Sequence, residues 1–199
     1  MCPRIGYQMQ RLSGYHNLDG LQLASKVVAA AKGLRENEEE PVEIRVDETG
    51  VGASCVDGLR LVAKDHNLII VPLNFGAAGD KHYADYGSKL WGMMRDSLPF
   101  IQLPEDDTLT AQMVTRKYHL QLDGRVKLEK KDHMKQRLAG NNSLADAEGA
   151  SPDRADALAL CLADLSDRPF AHDRIGSTRD DTEPAFRPAV SDDVPALDL

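Results

Sequence analysis

The feature that most constrains this chain is a pair of apolar segments, Val42–Asp47 and Leu68–Leu73, joined by a stretch of helical pattern. In the first, Val42, Ile44 and Val46 alternate with Glu43 and Arg45, as a strand with one polar face does. The second, Leu68-Ile-Ile-Val-Pro-Leu73, is an unbroken apolar run suited to a strand buried on both faces. Between them Val56, Leu59 and Ala63 recur at helical spacing, so residues 42–73 read as a βαβ unit with parallel strands. That crossover points to the α/β class. Ligands in such sheets lie beyond the carboxyl ends of the strands, where Asp47 opens the run Val46-Asp-Glu-Thr-Gly-Val-Gly52.

Elements of ordinary length surround this unit. Arg4 to Leu12 alternates as an edge strand does. Asn17 or Asp19 can cap a helix to about Leu34, with Leu21, Ala24, Val28 and Ala31 on one face. The acidic run from Arg35 to Glu40, closed by Pro41, reads as a solvated connector. Tyr83, Tyr86, Leu90 and Met93 mark the inward face of a helix stopping before Pro99, and Asp106 or Asp107 can cap a short helix to about Lys117. The segment from Tyr118 to Glu129 reads as a hairpin. A two-residue Asp123-Gly124 turn would split its apolar residues between faces, whereas a three-residue loop, Leu122 to Gly124, pairs Leu120 with Val126 and Tyr118 with Leu128. A basic helix over about Lys130 to Leu138 and a polar linker over Ala139 to Ala150 follow. In the last helix Ser151 is the N-cap, Pro152 the first helical residue, and Ala155, Leu158, Leu162 and Leu165 face the core. Beyond about Ser166 prolines and charges replace the periodicity, which predicts a disordered tail.

Composition narrows the function. At 199 residues the chain suits one domain plus the tail, and no apolar run approaches the ~20 residues of a membrane span. The expected location is therefore the cytoplasm, with no membrane partner. Cys2, Cys55 and Cys161 form no CxxC pair, consistent with a reducing compartment and no structural zinc. A net charge of −8 argues against a protein that coats nucleic acid, but not against a nuclease, whose metal-binding carboxylates are themselves acidic. No Gly-Lys dipeptide is present, so the chain has no phosphate loop of the GxxxxGK[ST] kind and alone is not an ATPase. There is no HExxH, and the six histidines lack metal-ligand spacing.

Two acidic constellations remain: Asp47 with its glycine-rich extension, and Ser151-Pro-Asp153-Arg-Ala-Asp156-Ala157. Taken singly, the first is an ordinary turn and the second an ordinary acidic first helical turn. Together they say more, because Asp153 and Asp156 share a helix face and that helix can pack across the sheet end bearing Asp47. Clustered carboxylates repel unless a cation lies between them, which points to Mg²⁺ or Mn²⁺, two ions of which can hydrolyse a phosphodiester.

At this point the sequence resembles the C-terminal nuclease domain of phage terminase large subunits. The resemblance spans about residues 42–165. It rests on the order of Val46-Asp-Glu-Thr-Gly-Val-Gly-Ala53, Val56-Asp-Gly-Leu59, Val71-Pro-Leu-Asn-Phe-Gly76, the Leu-Trp-Gly-Met within Tyr86 to Met93, Leu103-Pro-Glu-Asp-Asp107, the Gly124 to Lys131 hairpin and lysines, and Ser151-Pro-Asp-Arg-Ala-Asp-Ala157. It implies a ribonuclease H-like α/β fold, a mixed sheet flanked by helices. Asp47 and Asp153 match metal-binding acids with Asp156 nearby, the three together making the expected catalytic and metal site, and Lys130 and Lys131 match a basic stretch facing DNA phosphates. By the same resemblance the activity is a two-metal endonuclease that cuts concatemeric DNA during genome packaging, and the partners are double-stranded DNA, a terminase small subunit and a portal protein.

The family's first strand, with its own metal-binding Asp, has no match before Asp47. The expectation is therefore a partial nuclease domain over residues 1–166 and a disordered tail over 167–199. The first strand or strands would be missing, an edge of the sheet left unpaired, and the metal site one carboxylate short. The alternatives are a catalytically inactive remnant or interaction module, and another ribonuclease H-like enzyme such as a junction resolvase.

Overall fold

A computed structural model describes residues 1–37, 39–139 and 151–163, all within the unit Met1–Arg168. The expected βαβ unit is present: strand β3 (Val42–Asp47), helix α2 (Val51–Val62) and strand β4 (Leu68–Leu73). β3 and β4 run parallel, with Val42 opposite Leu68 and Asp47 opposite Leu73. Helix α1 (Gly20–Leu34) precedes them and packs on α2. It starts where a capping box forms: the Asp19 carboxylate accepts from the Gln22 amide at 2.8 Å, and the Gln22 side chain accepts from the Asp19 amide at 3.1 Å. Ala24, Ala31, Cys55, Leu59 and Leu68 form a buried cluster, and the inward residues of β3, namely Val42, Ile44 and Val46, pack against it. The period-2 alternation of β3 thus becomes one covered face.

Two expectations about this layer need correction. Leu21 is 63% exposed, because the buried face of α1 runs through Ala24 and Ala31 and leaves Leu21 at the rim beside Gly58. β4 is not buried on both faces: Ile69 is 49% exposed, and only Leu68 is fully buried. The helix on the opposite side of the sheet, α6 (Asp153–Cys161), packs on β3, and the Arg45 guanidinium donates to the Cys161 carbonyl at 2.8 Å. Among the described residues β3 pairs with β4 alone.

The second half is mostly helical. α3 (Tyr86–Ser97), capped by Asp85, runs into a 3-10 turn over Leu98–Phe100; α4 (Asp107–Thr115) is capped by Asp106. α3 and α4 pack on α6, burying Leu90, Trp91, Met94, Leu109, Ala155, Leu158 and Leu162. On α3 the buried stripe runs through Leu90, Trp91 and Met94 rather than Tyr86 and Met93, so it is turned one position from the expected face. Strands β5 (Tyr118–Leu120) and β6 (Val126–Leu128) pair as expected, Leu120 with Val126 and Tyr118 with Leu128. Gln121 and Arg125 close a three-residue loop, in which Gly124 takes φ +81°, a conformation that favours glycine. The hairpin is tied to α3 by the Leu128 amide donating to Ser88 Oγ at 2.9 Å. α5 (Lys131–Ala139) follows, with Met134 and Leu138 buried. The expected first strand is two short ones, β1 (Arg4–Ile5) and β2 (Gln8–Met9), pairing antiparallel.

The α/β class therefore holds, with parallel and antiparallel pairs in three two-stranded sheets among the described residues. The linker after Ala139, Leu165 and the tail from 167 lie outside the described residues. No described helix is long and apolar enough to cross a membrane.

Gly52 shows why the turn after β3 is glycine-rich. A Cβ there would lie 1.7 Å from the Asp47 carbonyl oxygen, so only glycine lets α2 begin so close to the strand end. We predict that Gly52→Ala destabilises the protein by at least about 2 kcal/mol in urea unfolding, since the obstacle is backbone rather than a movable side chain. A change within experimental error would show that the turn relaxes freely.

Candidate active site

Asp47 is the last residue of β3, half-buried where the strand meets the turn. Its Oδ1 accepts from the Thr49 amide at 3.3 Å and from Thr49 Oγ1 at 3.0 Å. Those bonds hold the carboxylate in place, and Oδ2 takes no part in them.

The second constellation begins α6. Its N-cap is Pro152 rather than Ser151, and no side chain of its own caps it. The cap comes from α4 instead: the buried Gln112 Oε1 accepts from the amides of Arg154 at 2.8 Å and Ala155 at 3.1 Å. Arg154 then pairs with Asp106 at 2.6 Å, so three bonds fasten the first turn of α6 to α4 and its cap. Both amides are among those a helix start leaves without intrahelical partners.

Lys131 lies between the two acids of α6, with Nζ 3.1 Å from Asp153 Oδ1 and 2.7 Å from Asp156 Oδ2. The acids differ in setting. The Asp153 carboxylate is largely exposed, whereas Asp156 is buried and its Oδ1 also accepts from Trp91 Nε1 and from the Arg116 guanidinium, each at 2.8 Å. The Arg116 guanidinium stands 4.8 Å from the centre of the Trp91 ring, a cation–π contact that fixes both groups. Close by, Arg137 makes a two-pronged bond to Glu129, at 2.9 and 2.6 Å.

These contacts shift the titrations. Burial raises the pKa of Asp153, but the charge and hydrogen bond of Lys131, with Ser151 and Lys135, outweigh it and leave the acid below the usual carboxylate range. Burial lowers the pKa of Lys131, yet Asp156 and Asp153 carry it above the usual lysine value. The Arg137 bonds hold Glu129 below its ordinary range.

The structure thus brings Asp153, Asp156 and Lys131 together, while Lys130 is an exposed residue just before α5. Among the described residues no group of three or more His, Cys, Asp or Glu side chains is placed to hold a metal ion. Asp47 and Asp153 have the donor chemistry a hard divalent cation takes, one with an uncommitted oxygen and the other exposed to solvent. Asp156 has both oxygens engaged by donors, which suits a structural anchor.

Sequence reasoning missed Trp91, Arg116 and Gln112 as site residues. Trp91 is the only tryptophan and sits on a helical stripe, a signal that predicts burial but no partner. Arg116 and Gln112 carry no local signal, because their partners lie some 40 residues further along the chain.

Comparison with solved structures fits this geometry. The chain superposes on the nuclease domain of the large terminase subunit of bacterial virus Sf6, a lysine-to-alanine mutant with manganese and beta-thujaplicinol. The TM-score is 0.65 at 15% identity, covering 81% of this chain and 80% of that one. The chain has the fold of a terminase nuclease domain. The mutant with calcium and the nuclease domain of the same subunit each align at TM-score 0.61 and 16% identity, with 81% of this chain and 80% of the other covered. No protein-family model and no curated protein matches the sequence. The α/β fold class expected from sequence is therefore the one observed, and its structural neighbours are terminase nuclease domains.

Two tests follow from the charges of this terminase-like fold. Asp156→Ala leaves the Trp91 N–H and Arg116 without their acceptor and is expected to cost roughly 3–5 kcal/mol, while Asp156→Asn, which keeps an acceptor oxygen, costs less. The same cost for both would show that the charge, not the acceptor, matters. For pH, Asp153 and Glu129 have lowered folded values, so their stabilisation is complete above about pH 4 and is lost as pH falls through those values. Lys131 has a raised value, so its contribution is complete below about pH 10 and is lost as pH rises through it. The melting temperature of Lys131→Met should lose part of both slopes relative to the parent; unchanged slopes would contradict the pairing.

Proposed function

We propose that this chain is the metal-dependent DNA endonuclease module of a phage or prophage terminase large subunit, cutting concatemeric DNA during genome packaging. The observation that carries the reading is the fold match over four-fifths of the chain to a terminase nuclease domain with manganese. Asp47 supports it independently, standing at the carboxyl end of a parallel strand where α/β sheets place their ligands.

In this proposal Asp47 and Asp153 hold Mg²⁺ or Mn²⁺, which when bound supplies an activated water and stabilises the leaving oxygen of a phosphodiester. The chain's own groups do the positioning. Thr49 orients Asp47, Gln112 and Arg154 set the start of α6, and Asp156 anchors Lys131 beside Asp153. Lys131 and Lys130 face the phosphate backbone of double-stranded DNA. The terminase small subunit and portal protein are the proposed protein partners, and the host cytoplasm the proposed location. A nuclease domain over residues 1–166 with a tail contributing nothing to its core belongs to the same proposal.

A second reading, a catalytically inactive remnant or interaction module, is favoured by one observation: among the described residues no group of three or more His, Cys, Asp or Glu side chains is placed to hold a metal ion. Plasmid nicking separates the two. The first reading expects supercoiled DNA to be nicked with Mn²⁺ or Mg²⁺ and not in EDTA. It also expects the rate to fall in Asp47→Asn or Asp153→Asn by more than about 100-fold, beyond the usual cost of losing an outer-shell partner. No nicking at millimolar Mn²⁺ by a folded chain supports the second reading. Nicking that survives EDTA overturns the mechanism, and selective cleavage of branched DNA points to a resolvase.

A further inference from the structure

Residues 116–138, from the end of α4 through the hairpin and along α5, carry eight Lys or Arg against three Asp or Glu, in a chain whose net charge is −8. Four of the eight are committed within the fold: Arg116 to Asp156, Arg125 to Asp123, Lys131 to Asp153 and Asp156, and Arg137 to Glu129. The ammonium groups of the other four, Lys117, Lys127, Lys130 and Lys135, pair with no carboxylate among the described residues. Lys127 is half-buried and the remaining three are exposed.

The fold gathers these four lysines. His119 pairs across the hairpin with Lys127, and the same register sets Lys117 opposite Glu129, whose amide donates to the Lys117 carbonyl at 2.9 Å. Residues 117, 119, 127 and 129 therefore share one face of the hairpin. Arg137 of α5 grips Glu129 at 2.6 Å and donates to the Thr115 carbonyl at 2.9 Å, which turns that face toward α5. Lys130 lies in the joint between β6 and α5. Lys135 stands one helical turn beyond Lys131, whose Nζ is 3.1 Å from Asp153. The uncommitted lysines thus run from the hairpin along α5 to the side of the helix that meets Asp153.

From this arrangement we propose that the hairpin and α5 form one footprint for double-stranded DNA, in which Lys117, Lys127, Lys130 and Lys135 contact the phosphates of a duplex that continues past Asp153. Charge complementarity selects the occupant. The segment's excess of five positive charges leaves the rest of the chain at −13, so a polyanion is drawn to this strip and repelled by the acidic remainder. Ammonium groups meet phosphates as point charges and carry no base discrimination, so binding here is independent of sequence. The internal pairs serve a different purpose: Arg137 and Lys131 fix α5 against the hairpin and α6, which holds the four free lysines in one constant arrangement. The footprint deepens the nuclease reading, which supplies duplex DNA as the polyanion and Asp153 as part of the place where it is cut.

The test is fluorescence anisotropy of a labelled random-sequence duplex titrated with the full chain in EDTA, where binding needs no cleavage. The logarithm of the association constant is expected to fall with the logarithm of salt concentration at a slope of about −4, from about −0.9 for each of four phosphates. Each single change, Lys117→Gln, Lys127→Gln, Lys130→Gln or Lys135→Gln, should reduce that slope by about 1. The variant with all four should bind at least about tenfold more weakly at low salt while keeping the parent's melting temperature. Lys32→Gln on α1 and Lys64→Gln just beyond α2, both exposed, should bind as the parent does. No binding by the folded parent at low salt, a fourfold variant that binds within twofold of it, or tighter binding of single-stranded DNA overturns the proposal. Plasmid nicking with Mn²⁺ keeps the two readings apart. A fourfold variant that nicks at the parent's rate overturns the footprint and leaves the nuclease reading, whereas lysine-dependent binding without any nicking upholds the footprint and overturns the nuclease reading.

Discussion

The carboxylate of Asp156 is the point on which the second half of the molecule depends. It is a buried charge, and its two oxygens receive the indole N–H of α3, the guanidinium that follows α4 and the ammonium that opens α5. A buried anion without donors would cost several kcal/mol; with three of them it becomes a rivet joining four helices. Without it Arg116 loses the partner that holds it over Trp91, and Lys131 keeps only the exposed Asp153. The first turn of α6 is fastened separately, by Gln112 and by the Arg154–Asp106 pair. One short helix, Asp153–Cys161, is therefore fixed at its start by α4, at its middle by α3 and α5, and at its end by Arg45 of β3.

That fixing gives Asp153 its chemical interest. An exposed acid at the start of an untethered nine-residue helix would have no defined position, and one on a helix bonded at three levels does. Asp47 is held on the other side by different means: a parallel strand, a threonine that bonds its carboxylate, and a glycine that brings α2 against its carbonyl. Neither acid is carried by a long loop. Rigid support on both sides is what a metal site requires, because misplacement by an ångström weakens coordination and chemistry alike.

Much of this was legible in sequence where the signal was local. β3 and β4 have the expected boundaries because alternation and an apolar run are read over six residues, and of the two expected caps Asp19 is the one that opens α1. The hairpin register followed from asking which loop keeps Leu120 and Val126 on one face. Misses arise where a partner from far away decides. Ser151 looked like the cap of α6, but Gln112 supplies it; Ile69 looked buried, but α6 covers β3 instead. The spacing of Asp156 from Asp153 is visible in sequence, while its hydrogen-bond partners Trp91, Arg116 and Lys131, 65, 40 and 25 positions earlier, are not.

The central claim is that a strand end and a helix start, each rigidly held, share one divalent ion. Amide line broadening by substoichiometric Mn²⁺ in NMR spectra of the ¹⁵N-labelled chain measures this directly, since paramagnetic broadening falls steeply with distance. The account predicts that the amides of residues 47–50 and 153–154 broaden first, at a common metal concentration, and that Asp47→Asn weakens the effect at both places. Broadening at one of the two alone, or spread evenly over the acidic surface around Glu36 to Glu40, would contradict a shared site.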